Sequence, residues 1–508
     1  MRLLVAALGA WAISAGAQEH ELGRRLPAAA RVSAASPFAA GCDGAQTGRH
    51  YRNAAAEPWV AVDPRDPMRM VGMWQQDRWS NGGATGLVAA VTRDGGQSWQ
   101  QSLPAFSSCA GGEARYVRTS DPWVTIAPDG TVHAVALSIT AAQDVQTVMV
   151  SRSTDGLQWS APVKLIEDSN RDIFDDKESL TADPTDARYV YAVWDRLQGL
   201  SGAAANFRGP SYFARTANGG ASWEAAKSIF DPGANAQTIG NQIVVLPDGT
   251  LVDAFTWIQN ATAPTVAQQR LSLAVIRSTD KGVTWSAPVI VSDLQPVGVS
   301  DVKTGTPVRS GSVITAITVD ALTGALYAVW EDGRFSQRQR EGIAFSQSTD
   351  GGLTWSAPAQ INQVPQVQAF TPMVAARGGE VAVTYYDFRK DTNDPAVLLA
   401  SYWRIISEDG GRNWSEAPLA EPFDLASAAL TDTGYFVGDY EGLVAANGRF
   451  LSFFVTSAAG AIPASVYATW KPTGGNTLHN GRTEVNRYVL RREIERRGER
   501  RRVVRKNP

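Results

Sequence analysis

The sequence predicts an all-β protein folded as a β-propeller of seven blades, with a six-bladed ring and an appended sheet as the alternative. A Gly-rich turn phrase that ends in tryptophan recurs six times, and its tryptophans lie 59 to 70 residues apart. Between the turns stand short runs of β-branched and aromatic residues bounded by Gly, Pro, Asp and Asn, which are typical of strands. No run of 12 residues outside the C-terminal tail keeps a helical period.

The chain is expected to divide into four parts. Residues 1–17 have a basic start, an apolar run and a small-residue cleavage pattern, which are typical of a secretory signal peptide. An N-terminal lead at 18–54, the propeller at 55–475 and a basic tail at 476–508 follow. We therefore expect export to the periplasm or the extracellular space. No later run is long and apolar enough to predict a membrane span.

Each repeat reads as four strands. A first run such as "EPWVAVDP" at 57–64 is followed by a second such as "MVGMWQ" at 70–75. A third run leads into the turn phrase and a fourth leaves it. Seven first runs accompany six turn phrases, so the last blade, from Tyr440 to about Pro472, lacks the phrase. We expect the lead near 29–51 to supply its outer strand and close the ring.

The turn phrase is clearest as "QSTDGGLTWSAP" at 347–358. The Asp carboxylate can accept hydrogen bonds from the N–H groups of its own turn, and glycine supplies positive φ. The tryptophan can pack on the neighbouring sheet. Six recurring acids are not six active sites, and one copy carries Asn, so the phrase is interpreted as scaffold. Its acidic or amide positions are Asp94, Asp155, Asn218, Asp280, Asp350 and Asp409.

These phrases resemble the Asp-box, or bacterial neuraminidase repeat, of the sialidase superfamily, with six copies between residues 92 and 414. The resemblance implies a β-propeller. It does not by itself imply an activity, because Asp-boxes also occur in xyloglucanases, sorting receptors and photosystem assembly factors.

Carboxylates and arginines recur where four second strands end, on the face opposite the turn phrases. These pairs are Asp77 and Arg78, Asp195 and Arg196, Asp332 and Arg334, and Asp387 and Arg389. Arginines that converge on one point would bind a sugar carboxylate bidentately. The alternative is that each pair is a salt bridge between blades.

The sialidase resemblance implies a retaining mechanism in which Tyr440 is the nucleophile and Asp77 protonates the leaving oxygen. It implies substrate contacts by Arg78, Arg196, Arg309, Arg334, Arg389 and Glu441. The sequence departs from the family at 56–58, where Ala-Glu-Pro stands in place of Arg-Ile-Pro. A glutamate there would repel a carboxylated sugar.

Three functions therefore stay open from the sequence. The first is an exported, sialidase-like glycoside hydrolase that acts on a polar or acidic terminal sugar. The second is a non-catalytic propeller that binds a glycan or a protein through its funnel. The third is a polysaccharide lyase with a tyrosine base.

The remaining features limit cofactors and partners. Cys42 and Cys109 are the two cysteines, and an exported chain predicts that they form a disulfide. The four histidines lack the spacing of zinc ligands, so we expect no metal, while the run "DDKESL" at 175–180 leaves a structural cation such as calcium open. We expect no cofactor, no nucleic-acid partner and a monomer. The basic tail is interpreted as a solvated terminus or as a contact for an anionic surface.

Overall fold

The computed structural model describes residues 29–470, which form an all-β structure. The predicted signal peptide and basic tail lie outside these residues. The helical elements within them are short 3-10 turns, at Ser108–Ala110, Ala204–Asn206, Val266–Gln268, Arg334–Ser336 and Leu425–Ser427. No helix among these residues has the length and apolar character needed to cross a membrane.

The strands pair as successive antiparallel sets, here numbered one to seven. The lead begins with β1 (Ala30–Arg31). Set one is β2 (His50–Val62), β3 (Met70–Trp79), β4 (Ala84–Thr92) and β5 (Gln100–Ser102). Set two is β6 (Tyr116–Ile126), β7 (Val132–Thr140), β8 (Gln146–Ser153) and β9 (Val163–Asp168). Set three is β10 (Ile173–Ala182), β11 (Val190–Gln198), the short β12 (Arg208–Gly209), β13 (Ser211–Thr216) and β14 (Lys227–Phe230).

The remaining sets follow the same plan. Set four is β15 (Ala236–Val245), β16 (Leu251–Gln259), β17 (Arg270–Ser278) and β18 (Val289–Leu294), followed by β19 (Val299–Ser300) and β20 (Pro307–Arg309). Set five is β21 (Ala316–Val319), β22 (Leu326–Asp332), β23 (Gly342–Ser348) and β24 (Ala359–Gln360). Set six is β25 (Ala369–Arg377), β26 (Glu380–Asp387), β27 (Leu399–Ser407) and β28 (Ser415–Pro418), followed by β29 (Phe423–Asp424), β30 (Ala429–Thr431) and β31 (Gly434–Phe436). Set seven is β32 (Gly442–Ala446), β33 (Arg449–Ser457) and β34 (Ala464–Trp470).

These sets form a β-propeller, as the sequence predicts. The first strands contact one another in order from β2 to β32, and β32 in turn contacts β2. In the lead, Ala30 pairs with Ala468 and Arg31 with Tyr467, so β1 lies beside β34 as the outer strand of set seven. The blade number itself stays a prediction, and these pairings support seven.

Stacked sheets explain the burial pattern of the middle strands. All ten residues of β3 and all seven of β22 are buried, because each middle strand has a neighbouring sheet on both of its faces. Strands of this kind read as nearly continuous apolar runs, whereas the outermost β14 is mostly exposed or half-buried.

The turn phrases tie neighbouring sets together. Trp285 of set four packs edge-on against Phe213 of set three, with ring centroids 5.7 Å apart. Trp99 of set one lies 5.4 Å from Phe453 of set seven, so a turn-phrase tryptophan also joins the first and last sets. Gly282 has a φ of +85°, and a Cβ there would lie 2.5 Å from the Phe213 ring. Glycine is therefore required both for the turn and for the close approach.

The carboxylate of each turn phrase bonds inside its own turn. Asp350 Oδ1 accepts hydrogen bonds from the N–H groups of Leu353 and Thr354 at 3.1 and 2.9 Å and from the Ser348 hydroxyl at 2.8 Å. Asn218 Oδ1 accepts equivalent bonds in its own copy. None of the six positions lines the central cleft described below.

A disulfide fixes the lead to set one. Cys42 and Cys109 are bonded, with their Cα atoms 5.4 Å apart and a sequence separation of 67. The bridge joins the lead to the 3-10 turn that precedes β6.

Candidate functional site: a charged cluster on the propeller axis

The first strands of five sets carry a bulge at the same position, in β2, β6, β10, β15 and β25. The residue inside each bulge has a left-handed backbone, and φ lies between 50° and 72°. These residues are Glu57, Asp121, Lys177, Gly240 and Thr371. A left-handed non-glycine costs about 1–3 kcal/mol and is found mainly at functional sites. Because the first strands surround the axis, the bulges bring charged side chains to its centre.

Lys177 is the centre of this cluster. Its ammonium donates hydrogen bonds to Glu57 Oε1 at 2.8 Å, to Asp121 Oδ1 at 2.7 Å and to Asp439 Oδ2 at 2.7 Å. The four residues come from sets one, two and three and from the segment that enters set seven. All four side chains are buried, and Lys177 is 8% exposed. The cluster therefore joins blades that are far apart in the sequence.

The cluster shifts the pKa values of its members in opposite directions. Burial raises the pKa of Glu57 to about 7, although the Lys177 charge opposes this. Burial alone would lower the pKa of Lys177, but the charges of Asp121, Asp439 and Glu57 outweigh it and raise that pKa well above its usual value. Burial likewise opposes ionisation of Asp439, yet Arg309 and Lys177 hold its pKa below its usual value.

A cleft of about 290 Å³ opens above the cluster. Its floor includes Asp121, Asp176 and Lys177, and its walls include residues 81–83 and 143–146. These wall segments join second to third strands, which is the face where the sequence places function. The cleft lies over sets one, two and three rather than over the whole ring.

Asp176 is the carboxylate of this cleft with the fewest partners. Its one hydrogen bond among the described residues comes from the N–H of Lys177, at 3.1 Å, and its side chain is half-buried. Burial, together with the nearby charge of Asp121, raises the pKa of Asp176 to about 6. The neighbouring Asp121 is instead salt-bridged to Lys177. The floor therefore holds two carboxyl groups in different environments.

Two arginines also face the cleft. Arg78 donates to Gln75 Oε1 at 2.6 Å, and no carboxylate within residues 29–470 lies at salt-bridge distance from it. Burial and then the Arg309 charge lower the pKa of Arg78 to about 10. Arg309 pairs with Asp439, and both guanidinium groups lie over the Phe436 ring, at 4.7 and 4.6 Å. Arg78 thus keeps an unpaired buried charge at the cleft.

The comparison with family models decides how the repeat is classified. Residues 211–429 match the family described as BNR repeat-like domain. This confirms the resemblance to BNR-repeat proteins over the matched residues. Comparison with curated protein sequences gives no match.

Several solved structures are similar to the chain. An α-L-arabinanase of Penicillium chrysogenum is 13% identical with a TM-score of 0.47, over 71% of this chain and 94% of that one. A Hadza microbial sialidase is 16% identical with a TM-score of 0.41, over 82% and 66%. The sialidase of Trypanosoma rangeli is 12% identical with a TM-score of 0.42, over 87% and 58%.

The cluster lies largely outside the segment that matches the BNR repeat-like model. That segment contains four of the six turn phrases and Arg309, whereas Glu57, Asp121 and Lys177 precede it. The matched repeats therefore describe scaffold, and the charged groups must be judged from their geometry.

The surroundings of Tyr440 do not fit the predicted nucleophile. Its hydroxyl donates to the carbonyl oxygen of Pro122 at 3.2 Å, and its ring packs edge-on against Trp59 and Trp123 beneath the cluster. The residue is 4% exposed and does not line the cleft. Burial and the charges of Glu57 and its neighbours raise its pKa well above the usual value, which is the opposite of activation. The same placement removes the base that the lyase alternative needs.

Asp77 also lies away from the cleft. Its carboxylate accepts hydrogen bonds from the Asn53 N–H at 2.7 Å, from Gln76 at 3.1 Å and from the Ser36 hydroxyl. Arg78 lines the cleft, whereas the Asp77 carboxylate is bonded to Ser36 of the lead. The predicted general acid is therefore a structural contact between set one and the lead.

Three predicted substrate arginines do not converge on the axis and form salt bridges instead. Arg196 pairs with Asp168 and Asp175, Arg334 pairs with Asp332, and Arg389 pairs with Asp387 and Glu416. The sequence left salt bridges between blades open as the alternative. Arg196 forms one with Asp168 of set two, whereas Arg334 and Arg389 pair within their own sets.

Glu441, also predicted to contact substrate, is fully buried. It accepts a hydrogen bond from the Tyr386 hydroxyl at 2.6 Å and one from the Val455 N–H at 3.1 Å. It therefore bridges sets six and seven. Of the predicted substrate residues, Arg78 and Arg309 line the cleft.

Sequence reasoning missed Glu57, Asp121, Asp176 and Lys177 as site residues. A signal was present, because the first runs "EPW", "DPW" and "KES" put a charged residue at one repeat position, where set four has glycine. A charged residue where a bulge requires positive φ indicates a function that offsets the strain.

The described residues show no arrangement that would hold a metal ion. Within 29–470 no group of three or more His, Cys, Asp or Glu side chains has the geometry of a metal site. In the 175–180 run, Asp175 bonds Arg196 and Trp194.

Proposed function

We propose that this chain is an exported glycoside hydrolase that acts in the cleft above the Lys177 cluster on a polar or acidic terminal sugar. The observation that carries the proposal is the pair Asp121 and Asp176, two carboxyl groups from neighbouring blades on one cleft floor. Glycosidic bond cleavage needs one carboxyl group that gives up a proton and one that is ionised. Their different environments supply such a pair.

Asp176 is the proposed general acid. With a pKa raised to about 6, a useful fraction of it is protonated near neutral pH, and it can donate that proton to the glycosidic oxygen. Asp121 is the proposed partner. Salt-bridged to the Lys177 ammonium at 2.7 Å, it can accept a proton from an attacking water or stabilise the developing positive charge on the sugar.

Arg78 is the proposed anchor for the substrate's polar or anionic group. A buried guanidinium without a carboxylate partner is costly, and a ligand oxygen at its free N–H groups would offset that cost. The sialidase version of the proposal is weakened because Arg196, Arg334 and Arg389 are engaged elsewhere. A uronic or other oxygen-rich sugar needs fewer converging arginines.

The test is hydrolysis of a panel of 4-nitrophenyl or 4-methylumbelliferyl glycosides that includes uronides, sialosides and arabinofuranosides. We expect turnover with at least one of them and a fall in kcat/KM of about 10²–10⁴ in Asp176→Asn, the range for loss of a general acid. Activity of the unmutated protein should fall as pH rises through about 6, as Asp176 loses its proton. The matched control is Asp231→Asn, at an exposed carboxylate that does not line the cleft.

One observation favours a second candidate, a propeller that binds a glycan without cleaving it. Lys177 already forms salt bridges with Glu57, Asp121 and Asp439. The charges on the cleft floor therefore already pair with one another. Saturable binding of a glycan that Arg78→Met abolishes, with no turnover on any member of the panel, would establish the binder and exclude the hydrolase.

A further inference from the structure

An exposed leucine is fixed at the rim of the cleft. Leu200 lies in the loop after β11, and 43% of it is exposed. Asp172 holds this loop on both sides of the leucine. The Gly199 N–H donates to its carbonyl oxygen at 3.0 Å, and the N–H and hydroxyl of Ser201 donate to its Oδ1 at 2.7 Å. These hydrogen bonds fix the loop in a position that keeps Leu200 in the cleft wall.

Leu200 continues an apolar surface. Ile139 of β7 and Phe174 of β10 line the same cleft, and both are half-buried. We call Ile139, Phe174 and Leu200 the rim platform. Single exposed leucines are common on proteins, but one held beside two other apolar residues in a polar cleft forms a surface that a ligand can cover.

The position of the rim platform beside Asp176 indicates which part of a substrate it contacts. Phe174 and Asp176 are two residues apart on β10, in the stretch where its pairing with β11 is regular. Residues i and i+2 of a strand point to the same face, and both of these line the cleft. A general acid sits beside the oxygen of the leaving group. Phe174 therefore lies on the leaving-group side of the bond.

We propose that the rim platform is the leaving-group subsite and that it selects glycosides whose leaving group has an apolar face, such as an aryl group or the C–H face of a second sugar ring. The inference rests on the proposed role of Asp176 and adds the class of leaving group. The platform is continuous with the cleft floor that holds Asp176, so its occupant is part of the substrate itself.

The test compares an aryl and a methyl glycoside of the sugar that the protein accepts. Leu200→Ser should lower the ratio of kcat/KM for the 4-nitrophenyl glycoside to that for the methyl glycoside about three- to tenfold, the effect of losing part of one leucine contact. Leu322→Ser is the matched control, since Leu322 is 82% exposed in the turn before β22, on the opposite face. It should leave the ratio unchanged.

Binding separates this inference from the proposed function. Calorimetry on Asp176→Asn, with and without Leu200→Ser, measures the affinity for both intact glycosides in the absence of cleavage. A three- to tenfold loss of affinity confined to the aryl glycoside supports the rim platform even if the unmutated protein cleaves nothing, in which case the hydrolase alone fails. An unchanged ratio of kcat/KM and unchanged affinities would overturn the platform while leaving the hydrolase intact.

Discussion

Replacing Lys177 with methionine tests the energetic role of the axial cluster. Methionine has a similar length and tolerates the same backbone, so the change removes the ammonium and little else. Three buried carboxylates, Glu57, Asp121 and Asp439, then lose a partner at 2.7–2.8 Å. Removing one member of a buried ion network costs about 3–5 kcal/mol. With about 2.1 cal/mol/K of unfolding entropy per residue, a propeller of this length should lose roughly 3–5 °C in Tm.

The pH dependence gives the sharper measurement. Asp439 keeps its salt bridge to Arg309, but Glu57 loses the charge that opposes its burial, so its folded-state pKa rises further above its unfolded value. The contribution of Glu57 to stability is then complete below its unfolded pKa near pH 4 and is lost as pH rises through the folded pKa. The Tm difference between Lys177→Met and the unmutated protein should therefore be small at pH 4.5 and largest at pH 8.

Differential scanning calorimetry across this pH range provides the assay. Lys390→Met serves as the control, because Lys390 is exposed and forms no salt bridge within residues 29–470. A Tm that is unchanged in Lys177→Met, or a difference that does not grow with pH, would refute the claim that the ammonium neutralises the axis.

Two further predictions concern the scaffold. Replacing Cys42 and Cys109 together by serine should destabilise the fold by about 4 kcal/mol, the chain-entropy value for a loop of 67 residues. Denaturant unfolding measures this difference, and equal free energies of unfolding for the variant and the oxidised protein would contradict the prediction. Asp350→Ala should cost about 1–2 kcal/mol, as for loss of a capping side chain, whereas Asp350→Asn should cost little because Asn218 already forms the equivalent bonds in its own turn. Equal Tm values for the two Asp350 variants would argue against the turn hydrogen bonds as the cause.

The repeat made the scaffold predictable. A turn needs glycine, a carboxyl or amide acceptor and a tryptophan at fixed local spacing, and all of these are visible in a single copy such as 347–358. The origin of the outer strand of the last set was also predictable from the sequence. Seven first runs accompany only six turn phrases, so one blade needs a strand from elsewhere in the chain. The structure places β1 beside β34 at that position.

The site could not be read in the same way. Asp77 and Arg78 are adjacent in the sequence, yet one faces the lead and the other faces the cleft, because bulges and neighbouring sheets decide which face each strand residue occupies. Tyr440 begins the last blade as expected, but Trp59 and Trp123 cover it. Whether an Asp–Arg pair is a salt bridge or part of a binding site depends on side chains that only the fold brings close, as when Arg196 pairs with Asp168 of the preceding set.

The sequence by itself determined the class of fold, because strand, turn and repeat signals act over fewer than ten residues and recur. Only the tertiary structure decided which charges meet. Lys177 and Asp439 are 262 residues apart and lie at 2.7 Å, since closing the ring brings the first strands of distant sets together at the axis. Their pKa shifts arise from burial and from one another's charges, and neither exists before the ring closes.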